Sequence, residues 1–179
     1  AVTNMNSMFT HASAFNQDIG SWDTSAVTNM YCMFYDAFAF NGDIGGWDTS
    51  AVTNMGYMFH NADAFNQDLS GLEIHNVTSM SSMLTGSGLS AANYDATLIG
   101  WYGQAVTLGV QSGITLGADG LKFSSASADA RQALSDDFGW SFVGDTLYEN
   151  SAPTGAVTIS GTATEDQTLT AASTLADED

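Results

Sequence analysis

The sequence predicts an α/β solenoid, in which stacked repeat units each contribute one short parallel strand and an α+β unit closes the C-terminal end. Three observations predict it. Ala1 to Ser25, Ala26 to Ser50 and Ala51 to His75 align at a period of 25 residues, and a degraded fourth copy starts at Asn76. The aligned columns keep their chemistry: Val2, Val27, Val52 and Val77; Met5, Met30, Met55 and Met80; Met8, Met33, Met58 and Met83; Phe9, Phe34, Phe59 and Leu84; Phe15, Phe40 and Phe65; Ile19, Ile44 and Leu69. From Ser87 onward the period is lost. A unit this short cannot close a core by itself, whereas stacked copies join such columns into continuous apolar rows.

The strand is placed by the third copy. Leu69-x-x-Leu72-x-Ile74-x-x-Val77-x-x-Met80 has the LxxLxL spacing of a leucine-rich repeat, and Ile19-x-x-Trp22-x-Thr24 and Ile44-x-x-Trp47-x-Thr49 fit the same frame. In that frame strands lie around residues 21–25, 46–50 and 71–75 on a concave face, with the MxxMF segments as arcs opposite them. All 8 Met fall in two columns, which reads as core packing by an adaptable side chain. Beyond the repeats of residues 1–86, Ser90 is a helix N-cap ahead of Ala-Ala-Asn-Tyr-Asp-Ala-Thr-Leu-Ile. Val106 to Val110, Ile114 to Leu116, Leu121 to Phe123 and Trp140 to Val143 are strand candidates, and a helix is expected from Ser127 to Leu134 with Asp129 in its first turn. Residues 87–148 thus form a capping unit over the apolar end of the stack. A linker follows over 149–155, carrying the one Pro, and residues 156–179 alternate like the opening strands of a further β domain.

Composition narrows the function. With 20 Asp and Glu against 2 Lys and Arg, the net charge is −18, which excludes nucleic-acid binding through clustered cations. Hydrophobic residues at 44% supply a core, so this is not a disordered acidic segment. One Cys excludes an internal disulfide framework. There is no Lys or Arg before Lys122 and no apolar run of about 20 residues, so neither a polybasic lipid-binding signal nor direct membrane insertion is expected. No signal peptide is seen, and the chain opens inside one pattern and stops inside another, which reads as a piece of something larger.

The unit FNQDIGSWDTSAVTNMYCMF, with its FN-x-D-[I/L]-x-x-W and S-x-V-T-x-M-x-x-M-F elements, resembles the BspA-like leucine-rich repeat of bacterial and mycoplasma surface proteins over residues 1–85. The resemblance implies a non-enzymatic adhesion or host-contact role at the bacterial cell surface, as part of a larger secreted adhesin. Residues 156–179 are similar to the start of the Ig-like or cadherin-like repeats of such adhesins. One departure from the general leucine-rich pattern is that Val27, Val52 and Val77 stand where an Asn is usual. Bonding between neighbouring coils would then fall to Asn4, Asn29 and Asn54, or to Asn16, Asn41 and Asn66.

Candidate binding residues follow from strand alternation. Ser21, Asp23 and Ser25, Gly46, Asp48 and Ser50, and Gly71, Glu73 and His75 would point outward. Their middle members, Asp23, Asp48 and Glu73, form an acidic row with a spacing of about 4.8 Å. Asp18, Asp43 and Asp68 form a second row. Like charges so spaced repel, and no cation in the repeats relieves them. Carboxylates and hydroxyls are hard ligands suited to Ca²⁺, so both rows are candidate Ca²⁺ ligands, with Ser21, Ser25, Ser50 and His75 as partner contacts. Each shelf offers fewer than six to eight oxygens, which leaves positions for a second copy related by a twofold axis, and so for a homodimer. Another cell-surface protein or a glycan is the other expected partner. The alternative is a carbohydrate- or surface-binding module, ice included, using the Thr3, Thr28, Thr53 and Thr78 row. A glycosidase built on Asp23 and Asp48 is disfavoured, since equivalent acids offer no raised-pKa partner. His11, His60 and His75 lack zinc-ligand spacing, and Cys32 shares a column with Ser7, Tyr57 and Ser82, as an incidental thiol would.

Overall fold

In the computed structural model the described residues are 1–148, 157–160 and 170–173. Two compact units are present, Ala1–Tyr148 and Glu149–Asp179.

The fold class differs from the expectation. No strand forms around 21–25, 46–50 or 71–75, where the backbone makes turns such as Trp22 N–H to Ile19 O and Val27 N–H to Thr24 O. The strands among the described residues all lie beyond residue 114 and pair two at a time. The chain is therefore a small α+β structure, and neither a leucine-rich-repeat solenoid nor its concave parallel sheet is present among the described residues.

The physical reason lies in how successive copies meet. Thr24 and Thr49 are buried, and their hydroxyls donate to the Asp48 and Glu73 carbonyls of the next copy at 2.9 and 3.0 Å. A side chain thus takes the acceptor that a strand would have paired through its backbone. Backbone pairing occurs instead along the arc of residues 3–11. There Met5, Ser7, Phe9 and His11 donate N–H groups to the Asn29, Tyr31, Met33 and Tyr35 carbonyls at 2.8–2.9 Å, and Thr28 N–H returns to Thr3 O at 2.8 Å. The second and third copies repeat the pattern. It does not become a strand because Ser7, Cys32, Tyr57 and Ser82 have φ near +50°, as do His11, Asp36 and Asn61, and two left-handed residues per arc interrupt extended backbone. What remains is a line of isolated parallel bridges, Asn4 to Asn29 to Asn54 to Ser79.

The core runs through the copies. Val27, Met30, Met33, Phe34, Phe40, Ile44 and Trp47 are buried, as are their third-copy counterparts. Phenylalanine rings stack both within and between copies: Phe34 on Phe40 at 3.9 Å, Phe59 on Phe65 at 4.0 Å, and Phe9 to Phe34 to Phe59 at 5.5 and 5.7 Å. Stacked rings add roughly 0.5–1.5 kcal/mol per pair beyond their burial.

Helix α1, Ala91–Leu108, begins where the Ser90 Oγ accepts from Asn93 N–H and ends at Gly109. The strand expected over Val106–Val110 does not form, because the last turn of α1 occupies its first half. One face of α1 serves the outward groups of the third copy. Trp101 Nε1–H donates to Leu69 O, Gln104 Nε2–H to Ser70 O and Leu72 O, and Thr97 Oγ1 and Gln104 Oε1 accept from Leu69 and Ile74 N–H, all at 2.9–3.1 Å. Gly100 makes this approach possible, since a Cβ there would lie 2.4 Å from Ser70 Cβ.

Strand β1, Thr115–Gly117, borders the fourth copy through a Met80–Leu116 bridge, with Leu84 and Gly86 N–H donating to the Gly117 and Asp119 carbonyls. Strand β2 is Lys122–Phe123, and helix α2 spans Ser125–Phe138 from its Ser124 N-cap. Asp129 falls outside the first turn of α2, contrary to expectation. Strand β3, Ser141–Val143, pairs parallel with β1, and β4, Thr146–Leu147, pairs parallel with β2. Buried Asp95 of α1 accepts from Ser124 N–H and from the Ser124 and Ser127 hydroxyls, which ties α1 to the start of α2.

In the second unit β5, Val157–Ser160, pairs antiparallel with β6, Thr170–Ser173. The expected linker 149–155 lies outside the described residues, as do the other residues assigned to an Ig-like or cadherin-like domain over 156–179.

Candidate functional site

The copies display two rows of carboxylates, each aspartate fixed by its own turn. Asp18, Asp43 and Asp68 accept N–H groups two residues on, from Gly20, Gly45 and Ser70, at 2.8–3.0 Å. Such Asx turns form because a short carboxylate can reach the second amide ahead of it. Asp23 and Asp48 go further. Each Oδ1 accepts both the N–H and the hydroxyl of the Ser two residues on, Ser25 or Ser50, with Oγ–Oδ1 distances of 2.6 Å in both copies. The serine hydroxyl, and after it the serine amide, hold both carboxyls below the ordinary aspartate range, while the charge of Asp23 pushes Asp48 slightly back up.

The third copy breaks this row. Glu73 is half-buried and stands where the aspartates do, but its partner position is His75, whose Nδ1 is buried with no hydrogen-bond partner among the described residues. Among the described residues, no three His, Cys, Asp or Glu side chains come together closely enough to hold a metal ion. The six acids expected as Ca²⁺ ligands, Asp18, Asp23, Asp43, Asp48, Asp68 and Glu73, are thus not gathered in threes. Ser21 is exposed; Ser25 and Ser50 belong to the carboxylate–hydroxyl pairs.

A shallow polar groove lies beside the first row, lined by Asn16, Gln17, Asp18, Gly42 and Asp43. The asparagines in it register the copies: Asn16, Asn41 and Asn66 Oδ1 accept from the N–H of Asn41, Asn66 and Ser90. Asn4, Asn29 and Asn54 turn their Oδ1 onto the amide two residues on, within their own copy. The exposed threonine row is also tethered. Thr28, Thr53 and Thr78 hydroxyls each donate to the carbonyl of the preceding Thr at 3.0–3.1 Å.

Sequence reasoning missed two features. One is an aromatic patch in which Tyr35 stacks on His60 at 4.9 Å, Tyr57 lies beside both, and His11 pairs with Asp36 at 3.1 Å. Its signal was the neighbouring columns Thr10, Tyr35, His60 and His11, Asp36, Asn61. The other is a partly buried cage in which Arg131 makes two 2.7 Å bonds to Asp145, Tyr94 OH donates to Asp145, and the guanidinium lies over the Phe123 and Phe142 rings. No sequence spacing joins those residues. Burial, reinforced by the Asp145 charge, drives the Tyr94 hydroxyl well above the usual tyrosine range. The bonds that Arg131 donates to Asp145 hold its guanidinium still more firmly charged.

Residues 1–97 match the model of a family described as a Mycoplasma protein of unknown function, DUF285. No curated protein matches the chain, and no solved structure does. Among the described residues no helix is long and apolar enough to cross a membrane.

Proposed function

The chain belongs to the DUF285 family over more than half its length, and from its geometry we propose that it is a non-enzymatic adhesion or protein-contact module of the bacterial cell surface. The observation that carries this reading is the repeated, exposed carboxylate–hydroxyl pair, Asp23 with Ser25 and Asp48 with Ser50, set in the same geometry one copy apart. Identical recognition groups on a hydrogen-bonded stack favour multivalent contact, where a weak site gains from its repetition. Equivalence also argues against glycoside hydrolysis, which needs one carboxyl raised and one lowered, because both aspartates are lowered here. A protein partner bearing Lys or Arg suits this face directly. A second copy does not, since each chain brings a net charge of −18. Self-association therefore requires Ca²⁺ between two facing rows, each row contributing part of the six to eight oxygens.

Light scattering after size exclusion, from chelator to about 10 mM Ca²⁺, tests this. A mass that doubles with Ca²⁺, reverts with chelator and stays monomeric in the Asp23→Asn, Asp48→Asn variant supports the bridged contact. A flat mass moves the reading to other proteins and glycans, to be probed on protein and glycan arrays. Undiminished array binding by the same double variant would remove the carboxylate row from the function and favour the threonine row as a carbohydrate- or ice-binding surface.

A further inference from the structure

We infer that the outer face of the first copy is a docking surface for one more unit of the same 25-residue repeat. Three side chains that are buried in the second copy are open in the first: Val2 is 49% exposed against 0% for Val27, Met8 48% against 0% for Met33, and Trp22 36% against 3% for Trp47. With Met5 and Asp23 they line a single apolar depression. The counterparts are covered because the first copy lies on them. The open face is thus continuous with an interface that the chain already forms three times.

The backbone carries the same message with a direction. Each copy presents carbonyls to the copy before it: Asn29, Tyr31, Met33 and Tyr35 accept from the first copy, and Asn54, Gly56, Met58 and His60 from the second. In the first copy the equivalent carbonyls of Asn4, Asn6, Met8 and Thr10 accept no hydrogen bond among the described residues. Among the described residues Thr3 N–H has no counterpart of the Thr28 bond and Trp22 Nε1 has no acceptor, whereas Trp47 Nε1 donates to Ile19 O. Four acceptors and two donors therefore stand in the register of one further repeat coil.

The occupant follows from this polarity. A second copy of the chain stacked head to tail is blocked, because Thr97, Trp101 and Gln104 of α1, together with the β1 segment, already hold the far end of the repeats. Stacked head to head, it would set the four carbonyls against their own equivalents. A coil with Val, Met, Phe and Trp at the repeat positions brings matching N–H donors and apolar side chains.

The test is to fuse a duplicate of residues 26–50, carrying Trp47→Phe within the duplicate so that it adds no exposed indole, directly before Ala1 of the full chain. Trp22 dominates quenching by acrylamide, since Trp47, Trp101 and Trp140 are at most 3% exposed. The expected result is quenching that falls to the level of the buried indoles, with a melting temperature raised by about 2 °C or more. Amide exchange supplies a second readout: N–H groups in the added copy equivalent to Met30, Cys32, Phe34 and Asp36 become protected by the Asn4, Asn6, Met8 and Thr10 carbonyls. A control duplicate with its Met and Phe positions changed to Ser should show neither effect. Unchanged quenching with unprotected amides overturns the inference, and so does an unmodified chain that is already dimeric with Trp22 shielded.

Discussion

Trp101 donates its indole N–H to the Leu69 carbonyl at 3.1 Å, the bond that Trp47 makes to Ile19 at 3.0 Å. Helix α1 thereby supplies from a helical side chain what a further repeat would supply from its own tryptophan. Trp101→Phe keeps most of the ring and loses the donor, and a cost of about 1–2 kcal/mol is expected in urea denaturation. Trp101→Ala, which also opens a cavity, should cost about 3–5 kcal/mol. Equal losses for the two variants would mean that packing against the third copy contributes nothing.

Asp95 satisfies three donors at the N-terminus of α2. Its replacement by Ala strands the buried Ser127 hydroxyl and frees the half-buried Ser124 N–H and hydroxyl, with an expected loss of about 2–3 kcal/mol. A double-mutant cycle with Ser127→Ala should give a coupling of at least about 0.5 kcal/mol.

The left-handed columns give opposite signs for two substitutions at one place. Ser82, at φ +49°, should gain up to about 1 kcal/mol as Gly, reduced by the chain entropy that Gly forfeits on folding. As Val it should lose more than about 1 kcal/mol, since a β-branched residue strongly disfavours this conformation. Thermal melts of the pair decide it. If the order Gly, Ser, Val is reversed, the strain argument fails.

Asp23 and Asp48 should titrate below ordinary aspartate in carbon-detected NMR, and Ser25→Ala or Ser50→Ala should move the affected carboxyl upward. The sign for stability follows. A folded-state pKa below the unfolded one favours folding above the unfolded value, and that contribution disappears as the pH falls through the folded one.

Much of the repeat was legible because its information sits in side-chain columns. Val, Met and Phe at fixed offsets marked the positions that are buried in the second and third copies, since burial depends on which residues face inward. The strands did not follow, because LxxLxL spacing reports orientation and is silent on backbone pairing. Thr24 and Thr49 took the pairing role through their hydroxyls. The column His11, Asp36, Asn61, Gly86 did carry a readable sign, as these residue types tolerate positive φ best. Val106 and Leu108 read as strand by propensity but lie in α1, whose turn just before them is anchored by Gln104 to the third copy. The carboxylate rows were visible as a pattern. That no three of these acids come together was not, because the distance between side chains depends on turns that each acid makes locally.

The bonds between copies also set an order of assembly. Every backbone bond between the 25-residue copies closes a loop of 24 to 26 residues, so each added copy meets nearly the same closure entropy and none waits for a distant partner. A growing chain can therefore condense copy by copy behind the ribosome. The last copy stays uncovered until α1 and β1 have been synthesised, some 30 residues later. During that interval Leu69, Leu72 and Met80 lie open, and a nascent chain stalled there is the species most exposed to aggregation.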